Sequence, residues 1–343
     1  MKIIKWIFKR GINKALLNPD FIKYVEDSKQ GQDHKTGKIP YREYTPPPVN
    51  LSYLTGKKIF SHLRATALPS SFDLRKEGRV ISVKNEGPAG AAWAFAEDWK
   101  LSFNHAVCLV GWDDNYDRRK FKNLPPGPGV FIAKNCWGTK WGDKGYFYIS
   151  YYDQMVGKDN ALFSKVMNPN IYNVIYQYDP LGWCDSAGAS STTAWFANMF
   201  TSTSAQELRA VSWYVASPDS SYNLYVYTNP TDSDPRSGKL VKSLNGKVLE
   251  PSYYQKTFST PVKLTNGQKF SVVVEATTPG WDWPVPLQMP IEGYSSKARS
   301  EPGQGFLSMD GQSWLDVAEV FENASACLKA FASTSDGSKK GMV

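Results

Sequence analysis

Apolar and polar residues alternate with period two over much of the C-terminal half of this chain. The alternation recurs at 208–216, 222–228, 239–248, 253–258 and 268–276. Period two sends successive side chains to opposite faces of a strand. Val211, Trp213 and Val215 then face one way and Ser212, Tyr214 and Ala216 the other. Asn229-Pro230, Asn245-Gly246 and Asn266-Gly267 supply turn chemistry between runs. The expectation for residues 167–333 is an antiparallel β-sandwich.

The first half reads differently. Strands are predicted over 105–112, 130–137 and 145–152, with a charged, Pro/Gly-rich loop at 116–129. Gly87-Pro88 is a turn signal that opens into an alanine-rich stretch, so a helix is predicted over 91–100. Upstream, 21–29 reads as a short helix capped by Asn18 or Asp20. The polar stretch that follows ends in Pro46-Pro47-Pro48, a stiff linker. Four parts result: an N-terminal extension at 1–67, an α+β domain at 68–166, the sandwich at 167–333, and a Ser/Gly/Lys tail at 334–343 expected to be disordered.

Composition narrows the classes. A chain of 343 residues has room for two or three domains. Its 41% hydrophobic and 21% charged residues suit a globular protein. The net charge of +8 is spread along the chain and comes with no nucleic-acid motif, so no nucleic-acid partner is expected. Four cysteines are too few for a disulfide scaffold. The three histidines are isolated at 34, 62 and 105, so no metal and no cofactor are expected. The basic, amphipathic N-terminus lacks the apolar core and cleavage site of a signal peptide. No run approaches the roughly 18 apolar residues of a membrane span.

The chemistry-bearing stretch is Val83 to Phe95. A turn entering a helix exposes backbone N–H groups and the positive end of the helix dipole, where a thiolate or an oxyanion is stabilised. This stretch resembles the active-site segment of papain-like cysteine peptidases, in which a Gln-Gly turn precedes Cys-Gly-Ser-Cys-Trp-Ala-Phe. Asn104-His105-Ala106-Val107 is similar to the catalytic His segment. Asn135-Cys136-Trp137-Gly138, with Trp141-Gly142 and Gly145-Tyr146-Phe147, is similar to the Asn-Ser-Trp-Gly segment. Residues 68–75 resemble the start of the mature enzyme, and 50–56 the segment that precedes it in a prokaryotic branch. That branch carries a lectin-like domain after the peptidase. Residues 178–183, 194–198 and 293–298 resemble pieces of that domain. The resemblance implies a papain-like domain, reduced to a helix plus an antiparallel β half, followed by an all-β lectin-like sandwich. It also implies peptide or protein substrates and a secreted or cell-surface setting.

By the same resemblance His105 is the base, Asn135 holds its tautomer, and the residue at 86 donates to the oxyanion. The nucleophile position, however, is Ala92, and the oxyanion-hole Gln position is Glu86. A methyl group cannot attack a carbonyl, and a carboxylate only accepts hydrogen bonds unless protonated. His105 follows Ala92 by 13 positions, where the family places about 130–150 residues. Most of one half-domain and one wall of the cleft therefore have no counterpart. The expectation is a pseudo-peptidase; the alternative is a non-catalytic protein binding a cell-wall glycan or a surface protein. Cys108 and Cys136 fall on the face opposite His105 and Asn135 by parity, which argues against a substitute nucleophile and for a buried thiol or a mutual contact. Trp183, Trp195, Trp281 and Trp283 read either as a carbohydrate platform or as packing. Asn323-Ala324-Ser325 fits a glycosylation sequon.

Overall fold

The computed structural model describes residues 11–29, 45–55, 68–83, 106–157, 160–162 and 171–334. The helix predicted at 91–100, most of the linker, and the tail after Thr334 lie outside the described residues. The chain divides into two compact units. One comprises Met1–Lys29, Pro47–Ser61 and Lys165–Val343; the other comprises Gln30–Pro46 and His62–Ser164.

The N-terminal part of the first unit contains β1 (Asn13–Lys14) and α1 (Pro19–Lys29). Asn18 caps the helix, its Oδ1 accepting from the Asp20 N–H at 3.0 Å. The second unit holds one antiparallel sheet in the order β2 (Ser71–Asp73), β3 (Cys108–Asp113), β4 (Val130–Lys134), β5 (Tyr146–Ser150). All three strands predicted in this half are present, each two or three residues shorter than read. A bulge between Leu109 and Gly111 inserts Val110 into β3. It breaks the period-two alternation of the strand predicted over 105–112, because Leu109 pairs with Ala133 and Gly111 with Ile132. Gly111 also lets the backbone of β2 approach: a Cβ there would stand 2.2 Å from the Phe72 carbonyl oxygen.

The rest of the first unit is all β apart from one helical turn. Its elements are β6 (Val174–Tyr176), β7 (Asp185–Gly188), β8 (Thr193–Thr201), β9 (Gln206–Val215), β10 (Ser220–Thr228), β11 (Lys239–Val248), β12 (Ser252–Leu264), β13 (Lys269–Thr277), β14 (Val285–Gln288), β15 (Gly305–Ser308), β16 (Leu315–Asp316), α2 (Val317–Val320), β17 (Ser325–Ala326) and β18 (Leu328–Ser333). They form a six-stranded sheet, β11-β10-β13-β8-β15-β16, and a four-stranded sheet, β12-β9-β18-β6. A smaller sheet, β1-β7-β14-β17, takes its edge from the N-terminal segment. The expected sandwich is therefore present. Trp213, Val211 and Val215 point inward as read and meet Leu224, Val272 and Phe196 in one core. Fully burying such a side chain stabilises by about 1.5–3 kcal/mol.

One turn signal was misread. Asn245-Gly246 lies inside β11, with Asn245 opposite Asn223 and Gly246 opposite Tyr222. Gly246 makes room for a ring, since a Cβ there would stand 2.6 Å from the Tyr222 hydroxyl. Asn266-Gly267 does turn, with Gly267 at φ +74°.

The stretch read as an extension packs on the sandwich wherever it is described. Asn13 and Lys14 pair with Gly188 and Ala187. Phe21 is buried and meets Tyr294 edge-on at 5.0 Å. Tyr53 stacks on Trp281 at 5.3 Å and donates to the Ala216 carbonyl at 2.6 Å. The apolar core is unevenly distributed. Among the described residues all three apolar clusters lie in the first unit. In the second, Val110, Val130, Ile132 and Ala133 are buried, while Phe72, Trp112, Phe131 and Ile149 are only half-buried.

Candidate active site

Of the residues read as the catalytic set, Asn135 is described; Glu86, Ala92 and His105 lie outside the described residues. Asn135 follows β4 directly and is buried, at 4% exposure. Its N–H donates to the Gly145 carbonyl at 2.9 Å, and its Oδ1 accepts from the Cys136 N–H at 2.8 Å. The first bond holds the backbone and the second turns the side chain onto its own loop. Trp137 and Trp141 pack edge-on beside it at 4.7 Å, and Trp141 continues to Phe147 at 5.5 Å. The loop closes tightly because Gly142 and Gly145 adopt φ +56° and +91°. A Cβ on Gly142 would stand 2.5 Å from the Tyr146 carbonyl oxygen.

Charge pins the far side of that loop. Arg75 makes a forked bond to Asp73, at 2.7 Å from NH2 to Oδ2 and 2.9 Å from Nε to Oδ1. Its NH1 lies 3.5 Å from Asp143 Oδ2, which also accepts from the Tyr148 hydroxyl at 2.8 Å. The guanidinium sits 4.7 Å over the Tyr146 ring. Hydrogen bonding from Arg75 holds the Asp73 carboxyl below its ordinary range, and Asp73 raises Arg75 in return. Burial raises Tyr148. Sequence reading missed this network, although Arg75 closes the segment read as the mature start.

Described residues on either side of 84–105 meet this loop and the strand before it. Val83 packs on Gly145, where a Cβ would stand 2.6 Å from its Cγ1. Cys108, three residues after His105, pairs with Lys134, the neighbour of Asn135. Cys108 itself is exposed, not buried as one expectation had it, and Cys136 is half-buried; no two of the four cysteines form a disulfide. The buried thiols are Cys184 and Cys327 in the other unit.

Residues 97–166 match the model of the papain family of cysteine proteases, and residues 175–332 match that of the lectin-like domain. The chain thus resembles a papain-family segment joined to a lectin-like domain. Its fold is similar to the cysteine protease and lectin-like domains of Cwp84, a surface layer associated protein of Clostridium difficile, with a TM-score of 0.73 over 95% of this chain and 98% of that one, at 17% identity. Clostridial Cwp84 after propeptide cleavage gives 0.58 over 70% of this chain and 60% of that chain, at 24% identity. At such identities the likeness concerns the fold alone. A peptidase C1-like protein of Acanthamoeba polyphaga mimivirus is 37% identical over 79 residues, 22% of this chain and 20% of its own length. Cysteine proteinase A of Leishmania mexicana is 27% identical over 180 residues, 48% of this chain and 45% of its own length. The chain thus spans less than half of these curated relatives.

In the lectin-like domain the four tryptophans do not form one platform. Trp183, Trp281 and Trp283 gather with Val49, Tyr53 and Ala216, and Trp283 Nε1 donates to Asn13 Oδ1 at 2.6 Å. Trp195 belongs to a separate cluster with Tyr225 and Tyr227. The packing role prevails because the N-terminal segment covers the first group. Ser325 of the sequon is fully buried and donates to the Tyr178 carbonyl at 2.9 Å, which argues against glycan attachment at Asn323 in the folded chain. No described helix is long and apolar enough to cross a membrane.

Proposed function

We propose that this chain is a papain-family relative that has lost peptide-bond hydrolysis and works as a binding protein through its lectin-like domain. The observation that carries the first half is Ala92 at the nucleophile position. Family members attack the peptide carbonyl with a thiolate and pass through an acyl-enzyme. A methyl side chain supplies no electron pair, and Glu86 places a carboxylate where the family places an amide donor.

Hydrolysis of casein and fluorogenic peptides by the purified chain tests this reading. Rates should equal those of His105→Ala at every pH. Turnover above that control would refute inactivity. Ala92→Cys should restore little, because 13 residues from 92 to 105 leave the family's other cleft wall without a counterpart. Recovery to within tenfold of an active relative would show that the wall was dispensable. The second half draws on the lectin-like match and on the concentration of core in that domain. Its ligands, a cell-wall glycan or a surface protein, are to be sought with the full chain.

A further inference from the structure

Strand register sets four side chains in one row across the outer face of the six-stranded sheet. Asn245 of β11 stands opposite Asn223 of β10, Asn223 opposite Glu275 of β13, and Glu275 opposite Trp195 of β8. Their chain neighbours Leu224 and Val274 fill the core, so by parity this row turns away from it. Tyr225 stands two residues along from Asn223, with its ring parallel to Trp195 within 11° and 6.0 Å away.

The row is polar and incompletely satisfied, with Asn245 exposed and Asn223 and Glu275 half-buried. Asn223 Nδ2 donates to Glu275 Oε2 at 2.7 Å. Among the described residues Glu275 Oε1 and Asn223 Oδ1 have no protein partner. Arg236 lies over both rings, its Cζ 4.8 Å from the Trp195 centroid and 5.7 Å from that of Tyr225. The guanidinium is held by the Tyr227 hydroxyl at 3.2 Å and the Gly311 carbonyl at 2.6 Å. A guanidinium has five N–H groups, and these bonds use two of them. The patch therefore presents a carboxylate oxygen, amide groups and guanidinium N–H groups, pre-positioned by a sheet and by a ring stack. Held donors and acceptors lose little entropy on binding, which favours affinity.

That chemistry selects a class of ligand. Glu275 repels phosphate and other anions, so a nucleic acid or an anionic polymer fits poorly. A polyol suits the row: hydroxyls donate to the carboxylate while accepting from the amides and the guanidinium.

We propose that the Asn245–Asn223–Glu275 row, with Arg236 and Tyr225, is the site at which this lectin-like domain binds a neutral glycan. Glu275 Oε1 accepts hydrogen bonds from adjacent ring hydroxyls, and Asn223 and Arg236 donate to the same hydroxyls. The site rests on reading the domain as the binding part of the chain. The test uses the full chain on an array of neutral, amino and acidic oligosaccharides. The strongest array ligand is then titrated by calorimetry and by tryptophan emission, to which Trp195 contributes as the neighbouring ring. A neutral glycan should bind. Glu275→Gln and Asn223→Ala should each weaken it by about tenfold or more, with unchanged near-ultraviolet circular dichroism. Tyr253→Phe, on the four-stranded sheet, should leave binding within twofold. Binding that survives both row variants would overturn the site and leave the domain a glycan binder. Binding of acidic glycans alone would overturn the ligand class. An array without any binder would overturn the site and the glycan reading together.

Discussion

Replacing Lys329 by Met removes one half of an ion pair buried inside the lectin-like domain. Lys329 Nζ contacts Asp179 Oδ2 at 2.7 Å, the Asp179 carbonyl at 2.8 Å and Gln177 Oε1 at 2.7 Å. Asp179 is wholly buried and Lys329 13% exposed. Burial already raises the Asp179 carboxyl above its usual range, with Lys329 opposing that rise. Without the ammonium, the carboxylate and two further acceptors lose their donor. Stranding one buried partner costs about 3–5 kcal/mol. Asp179→Asn removes the charge that needed compensating, so its cost should be smaller, about 1–3 kcal/mol. The pH dependence follows from linkage. Below the unfolded value of about 3.9, Asp179 is protonated in both states and the loss of Lys329 carries little electrostatic penalty. As pH rises, the unfolded chain ionises first while the folded variant keeps its proton. Stability of Lys329→Met then falls by up to about 1.4 kcal/mol per pH unit, until the raised folded value is passed. Urea denaturation read through amide exchange of β9 and β18 suits the test, because two units need not unfold together. A cost for Lys329→Met no larger than for Asp179→Asn, or one equal at pH 4 and pH 8, would refute the reasoning.

Three further outcomes follow from the packing. Gly246→Ala forces a methyl to within 2.6 Å of the Tyr222 hydroxyl and should cost about 1–3 kcal/mol, seen as a lower melting temperature; an unchanged one would show that Tyr222 yields freely. Phe21→Ala empties a buried site against Tyr294 and should cost about 3–5 kcal/mol; limited proteolysis should then cut the N-terminal segment before the sandwich opens, and equal resistance in both proteins would count against that anchor. Cys108 should react with a thiol reagent quickly and Cys136 more slowly, while Cys184 and Cys327, buried and with thiols raised by desolvation, should react only after unfolding. Four thiols titrating at one rate in the native protein would contradict the described burial.

Much of the sandwich was readable because a strand with one buried face must alternate, and Val211, Trp213 and Val215 do so without interruption. Reading failed where a residue serves a distant partner. Gly246 looked like a turn, yet its lack of a side chain answers the Tyr222 ring on the neighbouring strand. Val110 adds a bulge that no local pattern announces. Lys329 and Asp179 stand 150 positions apart, and nothing near either one signals the other. The N-terminal segment reads as a mere extension because its anchors are few: Phe21, Val49 and Tyr53 are scattered among polar residues, and each finds its partner only in the folded sandwich. At the candidate active site, the Asn135 motif was legible because its glycines and tryptophans are needed to close one tight loop. Arg75 was not, since a lone Arg beside an Asp is ordinary until Asp143 and Tyr146 arrive around it.

The uneven core bears on how such a chain tolerates what the peptidase half lacks. A four-stranded sheet whose Phe72, Trp112, Phe131 and Ile149 remain half-exposed gains only part of the stabilisation those side chains offer. Small units bury a smaller fraction of their surface and are correspondingly marginal. The described lectin-like unit has the opposite balance, with Trp213, Phe196, Phe270, Leu224 and Leu287 fully enclosed. Substitutions in the second unit then change its local opening while leaving the sandwich folded. The residues under strongest physical constraint are then those of β8, β9, β10 and β13, which hold the core on one face and, on the other, the Asn223–Glu275 row.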